Sequence, residues 1–257
     1  MKKTVLAAAS LAAALVLAGC AKKTQVTING AEDLAGKTIG CQAGTTGELY
    51  VQEEVKNANL KSFKNGIDAA LALKNGAIDA VVLDELPAKE IVKRNPGLRI
   101  VDAAFASEEY AIAVRKGDSA LLKSINNTVA SIRANGLYED LIGSFMPVDG
   151  EINIPGDYIL ESAPVIKMGT NAAFPPFEYM QGTKIVGFDV TMSQLIAKDY
   201  GRKLEVVDMN FDGLIAALQS GAIDFIAAGM TATDERRQNV DFSEPYYTSN
   251  QVIIVRK

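Results

Sequence analysis

Two adjacent arginines, Arg236 and Arg237, close the run Thr231-Ala232-Thr233-Asp234-Glu235. Either threonine can cap a helix there, with Asp234 and Glu235 in its first turn. Cations near a helix N-terminus oppose the macrodipole by about 0.3–1 kcal/mol each. An arginine kept at that place is a candidate for gripping a carboxylate, because its planar fork can bond two oxygens at once. The alternative is a solvated helix start. A second candidate is Asp84, which follows the apolar run Ala80-Val81-Val82-Leu83 and precedes Pro87. It stands where a strand ends and a helix begins, the place where open α/β sheets bind ligands. Its plainer role is an N-cap. A third is the turn Ala43-Gly44-Thr45-Thr46-Gly47, between an expected strand at 37–42 and an expected helix at 48–56. Free backbone N–H groups point outward from such a turn, although many of these turns only cap helices.

The chain has 257 residues, 48% of them hydrophobic and 22% charged, with a net charge of −5. That is enough for one large domain or two small ones. The acidic balance argues against nucleic acid. The chain has no His, which excludes His-dependent triads and His metal sites. Its two cysteines, Cys20 and Cys41, cannot make a Cys-rich metal site. No metal and no cofactor is expected.

The elements that must position these groups alternate between helix and strand. Leu214, Ala217 and Leu218 have helical spacing, Gly221 ends that helix, and the run 223–228 reads as a buried strand. Residues 66–79 echo 213–224, each copy a helix, a glycine stop and a strand. The copies are too far apart for a solenoid and suggest two similarly built α/β lobes. Residues 147–164, with Gly150, Pro155 and Gly156, read as a linker. At the front, Lys2 and Lys3 precede an apolar stretch ending Leu17-Ala18-Gly19-Cys20. This is read as a signal peptide over 1–20, and its ending resembles a bacterial lipobox, which implies lipidation at Cys20. Cys41 is then expected to be a buried thiol.

The runs Gly229-Met230-Thr231-Ala232-Thr233-Asp234-Glu235-Arg236 and Asp241-Phe242-Ser243-Glu244-Pro245-Tyr246 resemble solute-binding protein family 3, the amino-acid-binding proteins of ABC importers. The block 165–200, with Asn171, Phe174 and Glu178, resembles that family's N-terminal part. The resemblance implies a periplasmic-binding-protein-like type II fold, with two α/β lobes and a ligand cleft between them. It implies that Arg236 binds the ligand's α-carboxylate, beside Thr231 and the backbone at Gly229. Thr46 would add a second grip on the carboxylate, and Asp84 would take the α-ammonium. Phe174 and Phe211 match positions whose rings line the ligand's side chain; core packing is the plainer role of each. An acid often stands at the position of Asn171 in binders of cationic amino acids, so Asn171 argues against Lys or Arg. With Gln42 and Glu178 it points to a polar amino acid.

In the family this N-terminal block comes first, whereas here it comes last, so the lobe order reads as circularly permuted. Residues 24–109 are expected to form one contiguous lobe and 110–257 the other, with the old termini joined through 147–164. The strand-forming segment 251–255 is expected to pair antiparallel with 110–114. The resemblance implies a monomeric, lipid-anchored extracytoplasmic protein whose partners are a free amino acid and a membrane permease. Two rivals are a same-fold dehydratase of prephenate-type substrates, with Glu178 as acid, and an amino-acid-sensing module.

Overall fold

The computed structural model describes residues 27–101 and 106–257. The expected signal segment 1–20 and Cys20 lie outside the described residues. Among the described residues no helix is long and apolar enough to cross a membrane.

The first part of the chain alternates strand and helix: β1 (Thr38–Gln42), α1 (Thr46–Glu54), β2 (Asn59–Phe63), α2 (Gly66–Lys74), β3 (Ala80–Asp84), α3 (Glu85–Arg94) and β4 (Leu98–Ile100). All of β3 is buried, as its unbroken apolar run requires. The chain then passes through β5 (Ala106–Tyr110) and β6 (Ala113–Arg115) into α4 (Ser119–Ala134) and α5 (Leu137–Phe145). Asp118 caps α4 by accepting from the Leu121 N–H, and Gly136 begins α5 with a left-handed φ of 83°. Residues 150–160 contain no helix or strand, in keeping with a linker.

The remainder comprises β7 (Val165–Thr170), β8 (Ala173–Phe174), β9 (Glu178–Gln181), β10 (Lys184–Val186), α6 (Phe188–Asp199), β11 (Lys203–Asp208), α7 (Leu214–Ser220), β12 (Phe225–Ile226), α8 (Asp234–Asn239), β13 (Val240–Phe242) and β14 (Tyr247–Arg256). Gly221 ends α7 with a φ of 78°. The expected strand at 223–228 is shorter than its apolar run, since only Phe225 and Ile226 pair.

Two main sheets result, with the orders β2-β1-β3-β14-β4, where β5 also pairs with β14, and β11-β7-β12-β6-β13; β10-β9-β8 form a small third sheet. In each main sheet, three parallel strands lie beside one strand that runs antiparallel to its neighbours, β14 in the first and β6 in the second. The internal repeat accounts for part of this likeness: α2 leads to β3 and α7 to β12, the corresponding strands of the two sheets. The two-lobed α/β architecture expected from the sequence is therefore present.

One expectation needs correction. Residues 110–257 do not all lie in one lobe, because β14 belongs to the first lobe's sheet. Val252 pairs with Leu83 on one side, and Val255 with Arg99 on the other. The expected pairing with 110–114 is displaced to β5, with Tyr247 opposite Tyr110 and Gln251 opposite Ala106. The reason is burial. Residues 251–255 are buried throughout, and a central sheet position covers both faces and both edges of such a strand. The chain thus crosses between lobes twice, from β5 to β6 and from β13 to β14.

Candidate functional site

Asp84 occupies the N-cap position of α3 but makes no side-chain cap bond. Its Oδ1 instead accepts from the Tyr110 hydroxyl at 2.6 Å. Burial, and then the nearby Glu108 charge, raise its pKa to about 7, against the lowering effect of the bond from Tyr110.

Thr233, not Thr231, caps α8, accepting from the Arg236 N–H at 3.2 Å. Thr231 is thereby released to donate its hydroxyl to Glu108 Oε2 at 2.6 Å. The two arginines divide sharply. Arg237 is exposed, and its Nε donates to the Ala232 carbonyl. Arg236 is only 8% exposed. Its Nη1 donates to the Thr231 carbonyl and its Nη2 to the Gly44 carbonyl, both at 2.7 Å. Its guanidinium lies 5.4 Å from the centre of the Phe211 ring. Burial lowers its pKa, while the charges of Glu108, Glu235 and Asp84 oppose that shift. A guanidinium stays charged under such conditions.

Asp84 and Arg236 line one cavity between the lobes. The first lobe adds Gln42, Thr45 and Thr46 to its wall, and β5 adds Glu108. The second lobe adds Asn171, Phe174, Glu178, Phe211, Gly229 and Thr231. Every cleft residue singled out from the sequence therefore lies on this wall. Thr46 is the first residue of α1, whose cap is Thr45, accepting from the Glu48 N–H at 3.3 Å. Gln42 Nε2 donates to Asn171 Oδ1 at 3.0 Å, bridging the lobes. Phe174 is stacked on Phe177 with centroids 5.7 Å apart, so its ring both packs the core and faces the cavity.

Gly229 fits here because it has no side chain. Its φ is +55°, and an added Cβ would stand 2.6 Å from Phe174 Cε1. Its N–H is already engaged, donating to Asp189 Oδ2 at 3.0 Å. Glu108 and Ala228 also line the cavity but were not singled out from the sequence, and Thr45 was offered only as part of the 43–47 turn. Glu108 carries no motif; only the pairing of β5 with β14 brings it there.

The cavity measures about 10 Å³, close to the space of a single water. A ligand as large as an amino acid must therefore part the lobes to enter. Among the described residues no cluster of acids and cysteines is arranged to hold a metal ion. Cys41 is free and buried, and burial pushes its thiol up to about 12.

Residues 166–257 match the family described as bacterial extracellular solute-binding proteins, family 3. This family-3 segment carries α8 with Arg236, Gly229, both phenylalanines and Asn171. The chain is 50% identical over 90 residues to the arginine-binding extracellular protein ArtP of Bacillus subtilis, covering 35% of each chain. It is 49% identical over 92 residues to a probable histidine-binding protein of Campylobacter jejuni, covering 36% of each. It is 31% identical over 129 residues to the L-cystine-binding protein TcyJ of Escherichia coli, covering 50% of this chain and 48% of that one. These alignments span from about a third to about half of the relatives' lengths. Among solved structures, an ancestral arginine-binding protein bound to arginine is 51% identical over 32% of this chain and 37% of its own, with a TM-score of 0.32. Two α/β lobes joined by two crossings agree with the type II periplasmic-binding-protein architecture expected from the resemblance.

Proposed function

We propose that this protein captures a polar L-amino acid outside the cytoplasm and delivers it to the permease of an ABC transporter. One observation carries the reading: Arg236 and Asp84, a buried fork and a buried carboxylate, come from different lobes and line one cavity. An α-amino acid presents the complementary pair, a carboxylate and an ammonium. Arg236 binds the carboxylate, helped by Thr46 and Thr231, and Asp84 binds the ammonium. Phe174 and Phe211 flank the side chain, with Asn171 and Gln42 at its polar end. Gly229 serves by leaving room. A ligand touching both lobes favours their closed arrangement by its differential affinity for it. The relatives named above are binding proteins, and we read this site likewise as binding and not catalytic. We further propose that the lobe order is circularly permuted, because the family-3 match falls on 166–257 while the segment from residue 27 builds most of the other lobe. In this reading Cys20 is the lipid-anchored residue and the protein acts as a monomer.

The test is a thermal-shift screen of the common L-amino acids on protein starting after Cys20. A ligand at 100 times its dissociation constant adds about 2.7 kcal/mol. No rise in melting temperature with any amino acid at millimolar concentration would overturn the reading. Incubation with prephenate, followed by ultraviolet detection of an aromatic product, tests the enzymatic rival, and no turnover is expected.

A further inference from the structure

Three acids line the cavity: Asp84, Glu108 and Glu178. Asp84 accepts from Tyr110, and Glu108 from Thr231. Glu178 is 0% exposed, and neither of its carboxyl oxygens has a hydrogen-bond partner. Beside it lies Asp189, on α6. Asp189 Oδ2 is held by the Gly229 N–H at 3.0 Å and the Tyr246 hydroxyl at 2.6 Å, but its Oδ1 has no partner. As two carboxylates this pair would leave three buried charged oxygens with at most the neighbouring Thr170 hydroxyl as a donor, so their desolvation would go largely uncompensated. One proton on Glu178 changes this. An O–H···O bond to Asp189 Oδ1 then satisfies both residues and leaves one Glu178 oxygen for the cavity.

We propose that Glu178 selects the ligand's side chain: it shares a proton with Asp189, and releases that proton to water when the cationic end of a basic amino acid binds in its place. The inference rests on the amino-acid-binding reading of the same cavity and narrows it to basic amino acids, against the expectation drawn from Asn171: Asn171 Oδ1 is already held by Gln42, whereas Glu178 is an acid on the cavity wall with no hydrogen-bond partner. A basic side chain brings its own positive charge and its own N–H donors, so it replaces the proton in both respects. A neutral amide side chain brings no charge and binds with the proton retained.

The surroundings agree. The charged and titratable groups acting on Glu178 are Asp189, Asp84 and the Tyr246 hydroxyl, with Glu108 and Arg236 on the same cavity wall and Tyr110 bonded to Asp84. Burial, followed by the Asp189 charge, holds Glu178 well above the usual carboxylate range. Burial and neighbouring acids likewise hold both tyrosines above theirs, so neither competes as an anion. Arg236 is the nearby cation, and it is directed to the Thr231 and Gly44 carbonyls.

The experiment is titration calorimetry near pH 7 with L-arginine and with L-glutamine, each in two buffers of different ionisation enthalpy. Any proton that Asp84 releases to water on pairing with the α-ammonium is common to both ligands and cancels in the difference. The expected result is about one more proton released with arginine than with glutamine. In Glu178→Gln that excess should vanish, and the ratio of arginine to glutamine affinity should fall at least about tenfold, the loss of one charge-assisted bond. Equal proton release by the two ligands in the wild type would overturn the inference without any variant. An unchanged affinity ratio in Glu178→Gln would overturn it as well. If neither ligand nor any other amino acid binds, the underlying reading fails, which is a different result from binding without excess proton release.

Discussion

Arg236 Nη2 and the Gly44 carbonyl oxygen, residues 192 positions apart in sequence, stand 2.7 Å from each other across the boundary between the lobes. One end of the arginine's fork thus already reaches from the second lobe to the turn that starts α1. A carboxylate lodged between them would meet the guanidinium on one side and the α1 N-terminus on the other.

Arg236→Lys keeps the charge but loses the fork. The expected effect is a loss of amino-acid affinity of at least about tenfold, with the fold intact by circular dichroism. Arg237→Lys, on the exposed neighbour, should change affinity by less than about twofold. Calorimetry on both variants checks this, and equal effects would mean the arginines do not differ as their burial indicates.

The Asp84 carboxyl makes binding and stability respond to pH in opposite directions. Its folded pKa of about 7 stands above the ordinary value of 3.8. The folded state therefore holds this proton where the unfolded state has lost it, so the group's contribution to stability is greatest at low pH and declines as pH rises through that interval. Asp189, raised to about 6 by burial, acts in the same sense. An ammonium ligand needs the carboxylate, so affinity should rise with pH toward about 7 and then level off. Asp84→Asn should melt higher than wild type at pH 8 without ligand and lose most of its affinity. Melting curves from pH 5 to pH 8, with and without a saturating amino acid, test both halves. An affinity that is flat over this range would remove Asp84 from the ammonium site.

Gly229→Ala should damage the site without touching any charged group. The new Cβ would stand 2.6 Å from the Phe174 ring, on a backbone with φ +55°. Overpacking of this kind costs about 1–3 kcal/mol. A lower melting temperature and weaker binding are expected together. Wild-type values for both would show that Phe174 moves aside freely.

The strand β14 should be among the most protected in the molecule. Val252 to Val255 lie between β3 and β4 and are buried. Their amides are expected to exchange near the global unfolding rate, as core strands do. Fast exchange in hydrogen-exchange mass spectrometry would place this segment outside the sheet. If the lobe order is permuted as proposed, joining Lys257 to the segment before β1 and opening the 147–164 linker keeps both crossings between lobes, so affinity should change by less than about threefold. A tenfold gain would show that the permuted connection loosens the hinge.

Much of the site could be read in the sequence because local chemistry fixed it. The Thr-Ala-Thr-Asp-Glu-Arg run specifies a capped helix start wherever it is placed, and the apolar run before Asp84 specifies a buried strand ending in a carboxylate. Such choices involve neighbours a few residues apart, which the sequence displays directly. The choice between Thr231 and Thr233 as the cap needed the tertiary structure, and local chemistry alone left Arg236 and Arg237 equivalent, so that only the family resemblance singled out Arg236 before the fold showed it buried. Both choices depend on which side of α8 meets the first lobe, a contact between residues nearly two hundred positions apart. The place of β14 was decided in the same way. Its apolar residues required burial, but they were compatible with several partners, and only the gap between β3 and β4 covers both edges. Glu108 and Asp189 gain their meaning wholly from packing, because a carboxylate's role follows from its distance to other charges and from its exclusion from water, and neither is written along the chain.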